Sequence, residues 1–215
     1  MNERESLRRY FQNIAGSFDA FYSRKRPIFF KALDLIFHQS MYRRFAITLK
    51  ECGNFREKEA LDIGCGSGRY SVAIAKQGVA KVTGIDFSNN MLKLAKDLVE
   101  ENGLKERCEF IQADFLEYDF SKKFHLCLAI GVFDYLKEPL PFLVKIHQLT
   151  LEKAIISFPK KWHIWTISRK IRLKILGCLV YFYTPKQIKN LLEKSGFKNY
   201  SLNNLGRDYL VTAWP

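Results

Sequence analysis

Three acids and three alternating glycines carry the chemistry that is legible in this chain. The stretch Ala60-Leu-Asp-Ile-Gly-Cys-Gly-Ser-Gly-Arg-Tyr70 takes an apolar strand into Asp62, then into a turn containing Gly64, Gly66 and Gly68, then into a helix. A second strand, Val82-Thr-Gly-Ile-Asp86, ends on Asp86, and a third, Phe110-Ile-Gln-Ala-Asp114, on Asp114. Glycine admits positive φ and lets a ligand approach the backbone, and a helix start presents unpaired N–H groups to an anion. An acid closing the second strand is placed to accept hydrogen bonds from ribose hydroxyls. The pattern predicts a nucleoside-type cofactor lying across the carboxyl ends of a parallel sheet.

Two other glycine loops are excluded by single positions. A dinucleotide fingerprint, Gly-x-Gly-x-x-Gly, needs glycine where this chain has Arg69, and a phosphate-binding loop needs Gly-Lys followed by Ser or Thr. What remains, acid-x-Gly-x-Gly-x-Gly followed by Asp86 and Asp114, resembles the donor-binding motifs of class I S-adenosylmethionine-dependent methyltransferases. The resemblance covers about residues 58 to 160.

That resemblance implies a role for each position. Gly64, Gly66 and Gly68, with Cys65 between them, wrap the methionine part of S-adenosylmethionine, and Asp62 attracts its ammonium group. Asp86 takes the ribose diol, Phe87 and Met91 sandwich adenine, and Asp114, with Phe115 beside it, accepts from the adenine amino group. Structural alternatives stand beside these: Asp62 and Asp114 as caps of adjacent turns, Phe87 and Met91 as core. The donor's methyl carbon is already electrophilic on a sulfonium and its product is S-adenosylhomocysteine, so the expected reaction is in-line displacement within a dry pocket and needs no metal.

The segment Ile130-Gly-Val-Phe-Asp-Tyr-Leu136 falls where this family brings donor and acceptor together. It lacks the Asn/Asp-Pro-Pro-Tyr/Phe sequence of many enzymes that methylate amide or aromatic nitrogens, and the metal set of catechol methyltransferases is not visible. Asp134 and Tyr135 are candidates to orient an acceptor or remove its proton; equally they can cap and pack against the next helix. Of four histidines, His125 and His147 read as structural, His38 belongs to the N-terminal helices, and His163 sits where a substrate cap begins. The stretch from Phe11 to Tyr22 looks like the leading helix that closes over cofactor in quinone-biosynthesis methyltransferases. Tyr10 and Tyr22 are its candidate lid residues, with ordinary helix packing as the alternative.

These residues need a particular scaffold. Helical periodicity runs through residues 5–50, after which strands and helices alternate: strand 60–63, helix 69–76, strand 81–85, helix 89–102, strands 108–112 and 125–130, helix 139–149 and strand 154–158. Ser88 is placed as an N-cap and Gly103 as a helix stop. Such alternation specifies a parallel α/β sheet with right-handed crossovers. Residues 160–176 read as a basic helix, Thr184-Pro185 opens a helix that Gly196 closes, and two strands near 200–202 and 209–214 finish as an antiparallel pair. The resemblance implies a Rossmann-like seven-stranded sheet with that hairpin at one edge. The expected organisation is a single domain over 1–215: N-terminal helical lid 1–50, cofactor-binding core 58–160, basic cap and helix 160–195, terminal strands 196–215.

At 215 residues the chain is long enough for one full α/β core. Five scattered cysteines without a C-x-x-C pair, and no apolar signal at the start, lead to an expected cytoplasmic setting. The net charge of +13 is uneven, since residues 153–192 contain no Asp or Glu. That surplus is either a solvated face or a binding surface for an acidic small-molecule acceptor, an anionic inner-membrane surface or nucleic acid. RNA is disfavoured because the cations alternate with isoleucine rather than with stacking aromatics, and no appended RNA-binding module is visible. The C-terminal part, with Phe158-Pro-Lys, Tyr183-Thr-Pro and Gly196-Phe197, loosely resembles the quinone and magnesium-protoporphyrin branches, which accept lipophilic or acidic molecules and methylate oxygen or carbon. A regulator that binds cofactor without turnover is the non-enzymatic alternative.

Overall fold

The computed structural model describes residues 6–7, 9–12, 31–53, 55–161, 170, 173–175 and 178–215, with side chains of the first long helix described from residue 41 onward. That helix, α1 (Lys31–Glu51), precedes the alternating core: β1 (Glu59–Ile63), α2 (Arg69–Lys76), β2 (Lys81–Asp86), α3 (Asn89–Glu101), β3 (Cys108–Gln112), β4 (Phe124–Ala129), α4 (Pro139–Leu149) and β5 (Thr150–Pro159). The chain finishes with α5 (Pro185–Ser195), β6 (Asn199–Asn204) and β7 (Asp208–Trp214).

The strands form a seven-stranded sheet in the order β3-β2-β1-β4-β5-β7-β6. β1 to β5 pair in parallel, whereas β7 runs antiparallel to β5 and β6 antiparallel to β7. This is the expected α/β architecture with its edge hairpin. β1 lies between β2 and β4, so the chain reverses its lateral direction there, and a crevice opens outside the carboxyl ends of those two strands.

Central parallel strands are covered on both faces, which accounts for their nearly unbroken apolar runs. Alternate side chains serve different layers. Leu61, Cys127 and Ala129 join Phe124, Phe133, Phe158 and Phe197 on one face, while Ala60, Leu126 and Leu128 join Val72, Ile74 and Leu210 on the other.

Local signals terminate the helices as expected. The Ser88 hydroxyl accepts from the Met91 amide at the start of α3. Thr184 and Gln187 exchange bonds in a capping box before Pro185, and Gly196 closes α5 at φ 104°. β5 begins four residues before the apolar run 154–158, because Thr150 pairs with Phe124 across an irregularity in the β4 register. A basic helix starting at Lys160 is not what forms: Lys160 prolongs β5 into a bridge with Tyr183, its amide donating to the Arg207 carbonyl. Residues 170 and 173–175 of that span are helical, and the remainder from 162 to 177 lies outside the described residues. All five cysteines are reduced and buried, and no helix among the described residues is long and apolar enough to cross a membrane.

Candidate active site

The parallel strands deliver the loops after β1, β2, β3 and β4 to one edge of the sheet. Asp62 is buried in β1, and Ser71 in the first turn of α2 donates its hydroxyl to Asp62 Oδ2 at 2.6 Å. Burial pushes the Asp62 carboxyl up to about 7; the Ser71 bond opposes the shift and the negative field of Asp86 adds to it. A cationic ligand group next to Asp62 would restore its charged form.

The glycine turn is fastened to the end of β2. Gly64 and Cys65 donate their amides to the Ile85 carbonyl, and the Gly66 amide donates to Asp86 Oδ2 at 3.0 Å. Asp86 Oδ1 accepts from the Ser88 amide at 2.8 Å. Burial raises the Asp86 carboxyl, and the amides of Ser88, Gly66 and Phe87 hold it down. Each carboxylate oxygen keeps a second lone pair for hydroxyl donors.

All three turn glycines have positive φ, yet their surroundings differ. A Cβ on Gly64 would strike Val132 at 2.6 Å and one on Gly68 would meet Ala95 at 2.9 Å, whereas one on Gly66 meets nothing within 4 Å. Gly66 therefore faces open space, while its amide is held by Asp86. Cys65 points the other way, toward Gly84; burial, then the Asp62 and Asp86 charges, push its thiol well above the ordinary range, which keeps it protonated.

Phe87 follows Asp86, and Met91 is buried in the first turn of α3. Asp114 accepts from the Leu116 amide at 2.9 Å through Oδ1, organising the turn at 114–118. Phe115 is buried against Phe120 and Phe142, with ring centroids 6.0 and 5.3 Å away.

After β4, Ile130 is buried and Gly131 turns at φ 79°, its amide donating to Ser157. The short 3-10 turn Phe133–Tyr135 then buries Asp134 at 4% exposure. Asp134 does not occupy the N-cap of α4, which is Glu138. The Tyr183 hydroxyl donates within this turn, lying 3.2 Å from the Phe133 carbonyl and 3.3 Å from that of Leu136. Its phenol is pushed up by burial and by the Asp134 charge.

The leading helix reaches this edge too. Phe11 sits edge-on between Phe87, 5.9 Å away, and Tyr135, 5.1 Å away, while Asn90 donates to the Gln12 carbonyl at 3.1 Å. Leu7 and Tyr10 pack with Tyr135 and Phe182 against buried Leu173, Cys178 and Val180. Tyr22 and His163 lie outside the described residues. His125 Nδ1 accepts from the Glu59 amide, and His147 packs edge-on against Phe197.

One residue at this edge has no local sequence signal. Arg44 of α1 donates from Nη1 to Asp208 Oδ2 at 3.0 Å, 164 positions away, and its Nη2 lies 3.8 Å from where a Gly131 Cβ would stand. Burial opposes its charge, and Asp208, Tyr70 and Asp134 together more than restore it, so the guanidinium stays ionised.

Residues 60–151 match the family described as "Methyltransferase domain". The ubiquinone biosynthesis O-methyltransferase of Histophilus somni is 28% identical over 65% of this chain and 62% of its own length. A zebrafish (Danio rerio) protein, EEF1A lysine methyltransferase 2, is 38% identical over 45% of this chain and 41% of its own length. The chain thus spans less than two thirds of the length of these curated relatives. Over the whole fold, the magnesium protoporphyrin IX methyltransferase of Synechocystis PCC 6803, solved with S-adenosylhomocysteine, superposes with TM-score 0.78 at 20% identity, covering 99% of both chains. Residues 60–151 thus resemble a methyltransferase domain, and the whole chain shares the fold of a methyltransferase solved with its demethylated cofactor product.

Proposed function

We propose that this chain transfers the methyl group of S-adenosylmethionine to oxygen or carbon of a small acceptor, by in-line displacement without a metal. The observation that carries the reading is the open space at Gly66, whose amide is fixed on Asp86 while Gly64 and Gly68 are closed by Val132 and Ala95. The cofactor supplies a methyl on a sulfonium, which leaves a neutral thioether. Asp62 holds the ammonium group, the turn from Gly64 to Gly68 lines the methionine part, and the α2 amides favour its carboxylate. Asp86 accepts from the ribose, Phe87 and Met91 flank adenine, and Asp114 accepts from its amino group with Phe115 beside it. Ile130 borders the donor side. Asp134 and Tyr135 orient the acceptor and take its proton where it has one to lose.

The acceptor is lipophilic, acidic or both. Tyr135, Phe182 and Phe11 give its approach an aromatic character, and the cap exposes Lys161, Lys170 and Lys174 beside Ile175, which is 79% exposed, and Leu179, 46% exposed. The same cations and apolar side chains suit peripheral contact with an anionic membrane. Lys160 is partly engaged, its ammonium 5.6 Å from the Tyr209 ring.

Transfer of tritium from labelled donor to small-metabolite, lipid, protein and RNA pools tests the reading. Label in the small-metabolite or lipid pool supports it. Label confined to RNA or to protein replaces the acceptor class, and binding of donor without label in any pool makes the chain a cofactor-binding regulator. Charge reversal at Lys160, Lys161, Arg169 and Lys170 is expected to worsen acceptor KM or vesicle affinity, more so at low salt, with donor affinity intact. Equal behaviour of variant and parent at low ionic strength removes the cap from the account.

A further inference from the structure

We propose that Lys145 is a positioning residue for the base of the cofactor: reaching over from α4, its ammonium fastens the loop after β3 and so aims Asp114 and Phe115 at adenine. The inference deepens the methyl-transfer reading and rests on its assignment of Asp114 to the adenine amino group. Lys145 donates from Nζ to the Leu116 carbonyl at 3.0 Å and to the Tyr118 carbonyl at 2.6 Å. The same ammonium lies 5.4 Å from the centroid of the Phe115 ring and 5.8 Å from that of Phe120. One side chain therefore touches both the backbone of the turn and the ring that follows Asp114.

Residues 113–123 lie between β3 and β4, where neither a strand nor a helix supplies backbone donors. Within this stretch the turn is built around Asp114. Its carbonyl accepts from the Glu117 and Tyr118 amides at 3.1 and 3.0 Å, and its Oδ1 accepts from the Leu116 amide at 2.9 Å. Leu116 and Tyr118 thus give their amides to Asp114 and their carbonyls to Lys145. Phe142, one turn earlier on α4, packs against Phe115 with ring centroids 5.3 Å apart, so one face of that helix holds the loop twice. A lysine that only solubilised α4 would keep its ammonium in water; this one is partly buried, on two carbonyls and over two rings. Removing the ammonium takes a donor from both carbonyls and loosens the turn that orients Asp114.

The test compares two ligands that differ at one position of the base. S-inosylhomocysteine is S-adenosylhomocysteine with a carbonyl oxygen in place of the 6-amino group. A carboxylate accepts from the amino group and makes no hydrogen bond to the carbonyl oxygen. The parent chain is therefore expected to prefer the adenine ligand about tenfold or more by calorimetry. Lys145→Met is expected to cut that preference to about threefold or less, by weakening the adenine ligand while the inosine ligand stays within about twofold of the parent. Lys145→Arg, which keeps the charge and the donors, is expected to stay nearer the parent ratio. A purely structural role predicts equal losses for the two ligands and hence an unchanged ratio, and an unchanged ratio in Lys145→Met overturns the proposal. If Lys145→Met does not fold, Lys145→Gln decides by the same ratio, and no change there overturns it. A parent that binds both ligands equally removes Asp114 from the base and this proposal with it. Failure of the parent to bind S-adenosylhomocysteine at all sinks the methyl-transfer reading instead, so the two failures are distinct.

Discussion

The Gly66 amide donates to the Asp86 carboxylate at 3.0 Å, tying the turn after β1 to the last residue of β2. One carboxylate thus shapes the glycine turn, and in the proposed reading its remaining lone pairs accept from the ribose. Asp86→Ala removes both functions. Loss of charge-assisted hydrogen bonds costs about 1.5–3 kcal/mol, so affinity for S-adenosylhomocysteine is expected to fall roughly tenfold or more by calorimetry. Unchanged binding rejects the assignment of Asp86.

Gly66 and Gly68 are expected to respond differently to alanine. Both have positive φ, 53° and 73°, and a left-handed alanine costs about 1–2 kcal/mol at either position. Gly68→Ala adds a clash with Ala95 at 2.9 Å, whereas the Gly66→Ala methyl enters open space. Thermal denaturation should therefore show the larger loss of Tm for Gly68→Ala. Gly66→Ala should show the larger loss of stabilisation by added S-adenosylhomocysteine. Normal ligand stabilisation of Gly66→Ala places the cofactor elsewhere.

If Asp62 holds the ammonium group as proposed, cofactor binding is linked to pH. Its folded-state carboxyl is raised from 3.8 to about 7, first by burial, so the stability it contributes is present below pH 4 and is lost as pH rises through 7. Asp62→Asn is expected to stabilise the free protein at pH 8 more than at pH 5, while weakening the ligand. In the parent chain, the ligand's ammonium favours ionised Asp62. Binding of S-adenosylhomocysteine should then strengthen from pH 6 to pH 8 and release a proton near pH 7. Calorimetry in buffers of different ionisation enthalpy reads that proton, and a pH-independent affinity with no proton released contradicts the placement of the ammonium group.

Phe11 contacts Phe87 and Tyr135 edge-on, each pair worth about 0.5–1.5 kcal/mol beyond the area buried. Phe11→Ala is expected to speed dissociation of S-adenosylhomocysteine about tenfold in stopped-flow, with a smaller effect on Tm because the two sheet cores are untouched. An unchanged off-rate means that the leading helix does not cover the cofactor.

The glycine turn was legible because its physics is local. Asp62, Gly64, Gly66 and Gly68 lie within one turn, and the need of that turn for positive φ and close approach is written in its residue types. The caps at Ser88, Thr184 and Gly196 were legible for the same reason: each acts on amides or carbonyls a few positions away. Strand-helix alternation likewise implied the parallel core. The start of β5 was missed because Thr150 has no apolar run of its own and is held by Phe124 across the sheet. The expected helix at Lys160 gave way to a bridge with Tyr183. Asp134 read as either helix cap or acceptor group, and the structure removes the cap reading by placing Glu138 there and burying Asp134. Arg44 itself had no signal, since its partner Asp208 is 164 positions away. Periodicity and turn chemistry act over a few residues and are determined by the sequence there. The meeting of Arg44 with Asp208, and of Phe11 with both Phe87 and Tyr135, depends on strand order and helix docking, and only the packed tertiary structure decides those.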